Sequence, residues 1–159
     1  MKIRPFQSND TASVVVLWEA CNLTRPWNNP ELDIARKCSV DDGLFLVGEL
    51  DRQIRNESDA EPNKNCDSKI YSEIVATIMG SYDGHRGWIY YLAVHPDQQR
   101  KGFGEQMMSD MEARLLALGC PKINLQIRRE NSSVMTFYES LGFTEDASVS
   151  LGKRLIPDN

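Results

Sequence analysis

Leu92-Ala93-Val94-His95-Pro96-Asp97-Gln98-Gln99-Arg100-Lys101-Gly102-Phe103-Gly104 joins an apolar run to a polar turn and then to two glycines. Upstream, Gly87 to Val94 is rich in aromatic and aliphatic residues and reads as a strand. Ile89, Tyr91 and Ala93 would point one way and Tyr90, Leu92 and Val94 the other, so this is a central strand covered on both faces. Downstream, Met107, Met111, Leu115 and Leu118 recur at helical spacing until Gly119, with Pro121 behind it. Gly102 and Gly104 therefore sit where a strand hands over to a helix. Glycine lets backbone N–H groups approach an anion closely, and a helix start adds orphan donors and the positive end of its dipole. A phosphate or pyrophosphate suits such a turn, and Arg100 and Lys101 add charge of the right sign. On the glycines alone, a turn that only shapes its loop explains them equally well. The nucleoside-triphosphate pattern G-x-x-x-x-G-K-[ST] is absent, and Gly102 to Met107 lacks the third glycine of the dinucleotide fingerprint.

Outward from this stretch, the remaining elements follow from spacing. Lys2 to Phe6 is a short strand, and Ser8, Asn9 and Asp10 offer caps to a helix carrying Val14, Leu17, Trp18 and Cys21 on one stripe. Asn29 caps a second helix with Pro30 at its first position, running to about Cys38. Leu44 to Leu50 is a strand, Asp51 to Lys69 a charged, exposed hairpin loop, and Ile70 to Tyr82 the returning strand. Asp83-Gly84 turns the chain into Gly87 to Val94. Ile123, Leu125 and Ile127 make another strand. Asn131 or Ser132 caps a helix with Val134, Phe137, Tyr138 and Leu141 on one face and Gly142 as its stop. Phe143 to Leu155 supplies two final strands. The expectation is an α/β fold over residues 1–159 as a single domain, with a mixed, mostly antiparallel, seven-stranded sheet.

Composition excludes several functions. The chain has 159 residues and a formal net charge of -5, which argues against general nucleic-acid binding and allows cationic, amine-bearing substrates. No apolar run approaches the roughly 18 residues needed to cross a bilayer, so a cytoplasmic address with no membrane partner is expected. Cys21, Cys38, Cys66 and Cys120 are scattered without metal-ligand spacing, so no metal site is expected.

Gln99-x-x-Gly102-x-Gly104, followed by Asn131 and then Phe137-Tyr138 and Leu141-Gly142-Phe143, resembles the GNAT superfamily of acyl-CoA-dependent N-acetyltransferases. Within it the chain looks most like small bacterial acetyltransferases of the YpeA type. The resemblance implies the acyl-CoA N-acyltransferase fold, with helices on both faces of the sheet, and acetyl-CoA as co-substrate. It also implies that the backbone from Gln99 through Arg100, Lys101, Gly102, Phe103 and Gly104 to Glu105 wraps the coenzyme pyrophosphate. The main chain at Leu92, Ala93 and Val94 would pair with the pantetheine arm and direct an N–H at the thioester carbonyl, and Asn131 would hydrogen-bond that arm.

On its place in an apolar stripe beside Phe137, Tyr138 fits core packing; the resemblance makes it the expected proton donor to the leaving thiolate, a role open to a phenol of pKa near 10 that stays protonated at neutrality. Where related enzymes place a glutamate on the central strand or the strand after the first signature helix, this chain has none. Asp83, His85 and Glu73 are base candidates by neighbourhood alone. An α-amino group, with a pKa near 7.7–8.0, is about a tenth neutral at pH 7 and needs only a weak base or a water chain. Trp27, Tyr82 and Asp83, with Trp18, Arg25 and Asn28 nearby, are candidates to line the acceptor pocket, while both tryptophans fit a core or homodimer contact as well. The expected reaction moves an acetyl group directly to a primary amine of a small molecule or peptide. The alternative is a non-catalytic acyl-CoA sensor, motivated by the vacant base positions.

Overall fold

The structure, a computed structural model, describes residues 1–54 and 69–156. Its spine is an antiparallel pair, β2 (Phe45–Ile54) and β3 (Lys69–Tyr82). β1 (Lys2–Pro5) pairs antiparallel with β2, and β4 (Gly87–Val94) antiparallel with β3. β5 (Ile123–Leu125) runs parallel to β4, reached through α3 (Phe103–Ala117), as a parallel neighbour requires a crossover. The sheet order is β1-β2-β3-β4-β5.

Strand alternation divides the core into two layers. On one face, Val14, Leu17 and Trp18 of α1 (Thr11–Ala20) and Ile34 of α2 (Pro30–Val40) cover Phe45, Val47, Met79 and Ala93. On the other, Met107, Met108, Met111 and Leu115 of α3 and Tyr138 of α4 (Ser132–Ser140) cover Leu46, Ala76, Ile78 and Ile89. Burial of each such aliphatic side chain contributes about 1.5–3 kcal/mol. Helices on both faces agree with the expected layering.

Several expectations need correction. The sheet has five strands among the described residues, not seven: residues 143–156 contain no strand, and Val149, Leu151 and Leu155 are exposed. Their apolar side chains are interrupted by Glu145-Asp146 and Gly152 and find no packed layer to bury them. β2 continues to Ile54, inside the stretch assigned to a loop, because Arg52 pairs with Glu73 at 2.6 Å and Ser72 donates to Asp51 at 2.8 Å across the strands. The remainder of that loop, 55–68, lies outside the described residues. Asp10 does not cap the helix that follows it. After a short turn at Ser8–Asp10, its carboxylate accepts the Gln7 N–H at 2.8 Å and the Arg4 guanidinium at 2.7 Å.

Candidate active site

The strand β4 is not regular. Thr77 faces Ala93 across the β3–β4 ladder but Met79 faces Tyr90, so Tyr91 and Leu92 together oppose Ile78. This is a bulge. It reverses the expected facing of Ile89, which packs on the α3 side with Leu92 and Val94 rather than with Tyr91 and Ala93. Tyr91 has a φ of 49°, a left-handed conformation that costs a bulky residue of order 1–3 kcal/mol and persists only where its surroundings enforce it. Pairing between β4 and β5 covers only Gly87, Trp88 and Ile89. Beyond Ile89 the two strands part, and the bulge lies at the fork.

At the far end of β4 the chain enters α3 through two left-handed residues, Arg100 at φ 62° and Gly102 at φ 79°. The first helical bond runs from the Gln106 N–H to the Gly102 carbonyl at 3.0 Å, so the N–H groups of Phe103, Gly104 and Glu105 precede the helical ladder. A Cβ on Gly104 would lie 3.2 Å from the Phe137 ring and 3.8 Å from Val94. The glycine thus lets α3 close onto both α4 and β4. Side chains brace this turn from within. Gln99 donates to the Val94 carbonyl at 3.1 Å, and Lys101 donates to the Asp97 carbonyl and to Gln98, each at 2.9 Å. Arg100 and Glu105 are exposed at its rim.

Tyr138 lies on α4 between Phe137 and Phe143, edge-on to both at 5.1 and 5.5 Å between ring centroids. It is 7% exposed, and burial pushes its phenol up to about 12. It borders a hollow of about 1420 Å³ on the β5 side, lined also by Trp88, Arg129, Met135 and Phe143. Asn131 occupies the N-cap position of α4 and is exposed, with no side-chain cap bond, so its amide is not consumed by the capping role.

The acceptor candidates are scattered. Trp18 is fully buried and its indole N–H donates to Thr77, so it belongs to the core. Trp27 is 61% exposed on the α1–α2 loop. Tyr82 and Asp83 stand at the opposite end of β4 from Val94, roughly 23 Å away along the strand. There Tyr82 donates to the Gly84 and Gly119 carbonyls, while Asp83 accepts the N–H groups of Arg86 and His85 and the Trp88 indole N–H. The Arg86 and His85 amides hold the Asp83 carboxyl below its ordinary range. Glu73 is paired with Arg52. Cys21 reaches the end of β4 and donates to the Val94 carbonyl at 3.3 Å, but burial pushes its thiol up, opposite to what a nucleophile needs. Among the described residues no group of histidine, cysteine, aspartate or glutamate could hold a metal ion.

Sequence reasoning missed Thr77, Tyr91 and Asp33, which meet at the bulge. Asp33, on α2, accepts the Tyr91 hydroxyl at 2.6 Å. The sequence carries no signal for them, because Gly87 to Val94 is apolar on both faces and Asp33 is remote from it along the chain.

Both the sequence and the fold have counterparts among known proteins. The family model described as the acetyltransferase (GNAT) family matches residues 17–143. An acetyltransferase of Yersinia pestis (strain Pestoides F) is 44% identical over 158 residues, covering 99% of this chain and 98% of that one. Among solved structures, Ard1 from Thermoplasma volcanium superposes with a TM-score of 0.70 at 21% identity, covering 92% of this chain and 84% of that one. The structure of AAC(6')-Iy in complex with a bisubstrate analogue, CoA-S-monomethyl-acetylneamine, gives a TM-score of 0.64 at 12% identity, covering 98% of each. The chain belongs to the GNAT acetyltransferase family and is an acyltransferase enzyme.

Proposed function

We propose that the protein binds acetyl-CoA along the fork between β4 and β5, with the pyrophosphate on the N-terminus of α3, and transfers the acetyl group directly to a primary amine. The observation that carries this reading is the juxtaposition of three features. They are the strand edge that opens past Ile89, the bulge at Tyr91–Leu92, and the pre-helical N–H groups of Phe103, Gly104 and Glu105. The residues fit the co-substrate: Gly102 adopts a left-handed backbone that side chains resist, and Gly104 lets the start of α3 sit close against β4 and α4.

Bound acetyl-CoA supplies an acyl carbon activated by its thioester. The main chain at Leu92, Ala93 and Val94 presents an N–H to the thioester carbonyl oxygen, where negative charge grows as the amine attacks; losing one such donor costs about 10²–10³ in rate. Asn131 holds the pantetheine arm through its amide. As the new C–N bond forms and the C–S bond breaks, Tyr138 gives its proton to the departing sulfur. The proton lost by the amine goes to solvent, from which Tyr138 is recharged. The raised thiol of Cys21 argues for direct attack rather than an acetyl-enzyme.

Family membership favours catalysis over a coenzyme-binding sensor. The acceptor is a small molecule or a peptide amine terminus. Release of free coenzyme A, measured with acetyl-CoA against a panel of small amines and N-terminal peptides, tests the reading. Amine-stimulated release, with the acetylated amine found by mass spectrometry, is expected. Tight coenzyme binding with no stimulation by any amine would favour the sensor.

A further inference from the structure

We infer that Trp18, Thr77, Tyr91 and Asp33 form a positioning relay that fixes the β4 bulge, and with it the backbone amide that faces the thioester oxygen. This rests on the acetyl-transfer reading above. The hydrogen bonds run in one direction. The Trp18 indole N–H donates to Thr77 Oγ1 at 2.9 Å, the Thr77 hydroxyl donates to the Tyr91 carbonyl at 3.1 Å, and the Tyr91 hydroxyl donates to Asp33 Oδ2 at 2.6 Å. The Tyr91 ring lies on the Trp18 indole, 3.9 Å between centroids and 11° from parallel. One residue is thus held at its carbonyl, its ring and its hydroxyl, by side chains from α1, β3 and α2.

Trp18 and Thr77 are fully buried, whereas the Asp33 side chain is 22% exposed and its other oxygen accepts Arg36 at 3.2 Å. The relay therefore begins in the core and ends on a carboxylate, the strongest acceptor available to a phenol. Packing alone does not demand this arrangement, since β3 and β4 pair regularly on either side of the bulge. The relay holds Tyr91 left-handed. Without it the residue relaxes to extended backbone, the register of Leu92 to Val94 slips by one, and their amides turn to the opposite edge. Such a displacement disables a donor aimed at one oxygen while leaving the pyrophosphate turn at Gly102 in place.

The test uses full-length protein and three variants. Tyr91→Phe keeps the stacked ring and removes the hydroxyl, Asp33→Leu removes the acceptor, and Asp33→Asn keeps an acceptor oxygen without the charge. Steady-state kinetics with acetyl-CoA is run beside calorimetric acetyl-CoA binding and the backbone amide resonances of Leu92 and Ala93. Tyr91→Phe and Asp33→Leu are expected to lower kcat roughly tenfold or more, with acetyl-CoA affinity within about twofold, and to shift both resonances. Asp33→Asn is expected to stay within about threefold of wild type with an unchanged pH–rate profile. Unchanged kcat and resonances in Tyr91→Phe would overturn the relay. Asp33→Asn as inactive as Asp33→Leu, with the acid limb of its profile lost, would overturn it too, by making Asp33 a base. Wild-type protein that acetylates no amine overturns the transfer reading separately, and the resonances still decide the relay.

Discussion

Tyr138, the proposed proton donor, lies in surroundings that keep its hydroxyl protonated. Burial between two phenylalanines raises its phenol to about 12, so it stays neutral wherever an amine acceptor is reactive. Tyr138→Phe is expected to lower kcat by about 10²–10⁴ and leave acetyl-CoA affinity unchanged, as kinetics and calorimetry on one preparation would show. In the wild-type enzyme the rate is expected to climb as the amine loses its proton, with no alkaline fall below about pH 11; a limb near 10 would indicate an ordinary, solvated phenol. Asp10 works through the opposite shift. Burial alone would raise its carboxyl, but the Arg4 guanidinium and the Gln7 N–H outweigh it and hold the group below its ordinary value of 3.8. A folded pKa lower than the unfolded one stabilises the fold above that ordinary value, and the contribution drains away as pH falls through the folded pKa. Asp10→Asn is expected to cost about 1–2 kcal/mol at pH 7, with the deficit shrinking below pH 4, read from urea denaturation at both pH values.

At the level of elements, most of the architecture was legible because its punctuation is local. Asn29 does cap α2, accepting the Leu32 N–H at 3.1 Å, and Gly119 and Gly142 end their helices at φ 80° and 88°. The turn into α3 was equally readable from Gly102 and Gly104. Gly102→Ala forces a Cβ into left-handed backbone, at a cost of about 1–2 kcal/mol. Its expected signature is a lower melting temperature together with weaker acetyl-CoA binding, by differential scanning fluorimetry and calorimetry. The bulge was not legible. Gly87 to Val94 is apolar on both faces, so there was no polar alternation for an inserted residue to break. Asp33 was hidden as well, because it comes from α2, far from β4 in sequence, and meets Tyr91 only through the fold.

Across the whole molecule, the sheet is strongest at its centre and weakest past β5. Beyond Phe143, which packs on Tyr138, residues 144–156 are tied to the rest by side chains such as Lys122 with Asp146 at 2.6 Å and Arg154 with Asn28 at 3.3 Å, exposed contacts that each contribute at most about 1 kcal/mol. Amide hydrogen exchange is expected to find these residues close to unprotected and the paired residues of β2 and β3 slowest. Protection of 144–156 equal to that of β3 would establish further strands. The proposed function requires the main chain at the start of α3 to hold a diphosphate. Calorimetric titration with acetyl-CoA beside S-acetylpantetheine, which carries the same thioester without that group, tests it most directly. One-to-one binding of acetyl-CoA, at least about a hundredfold tighter than S-acetylpantetheine, is the expected result. Equal affinity for the two, or no heat with acetyl-CoA, would contradict it.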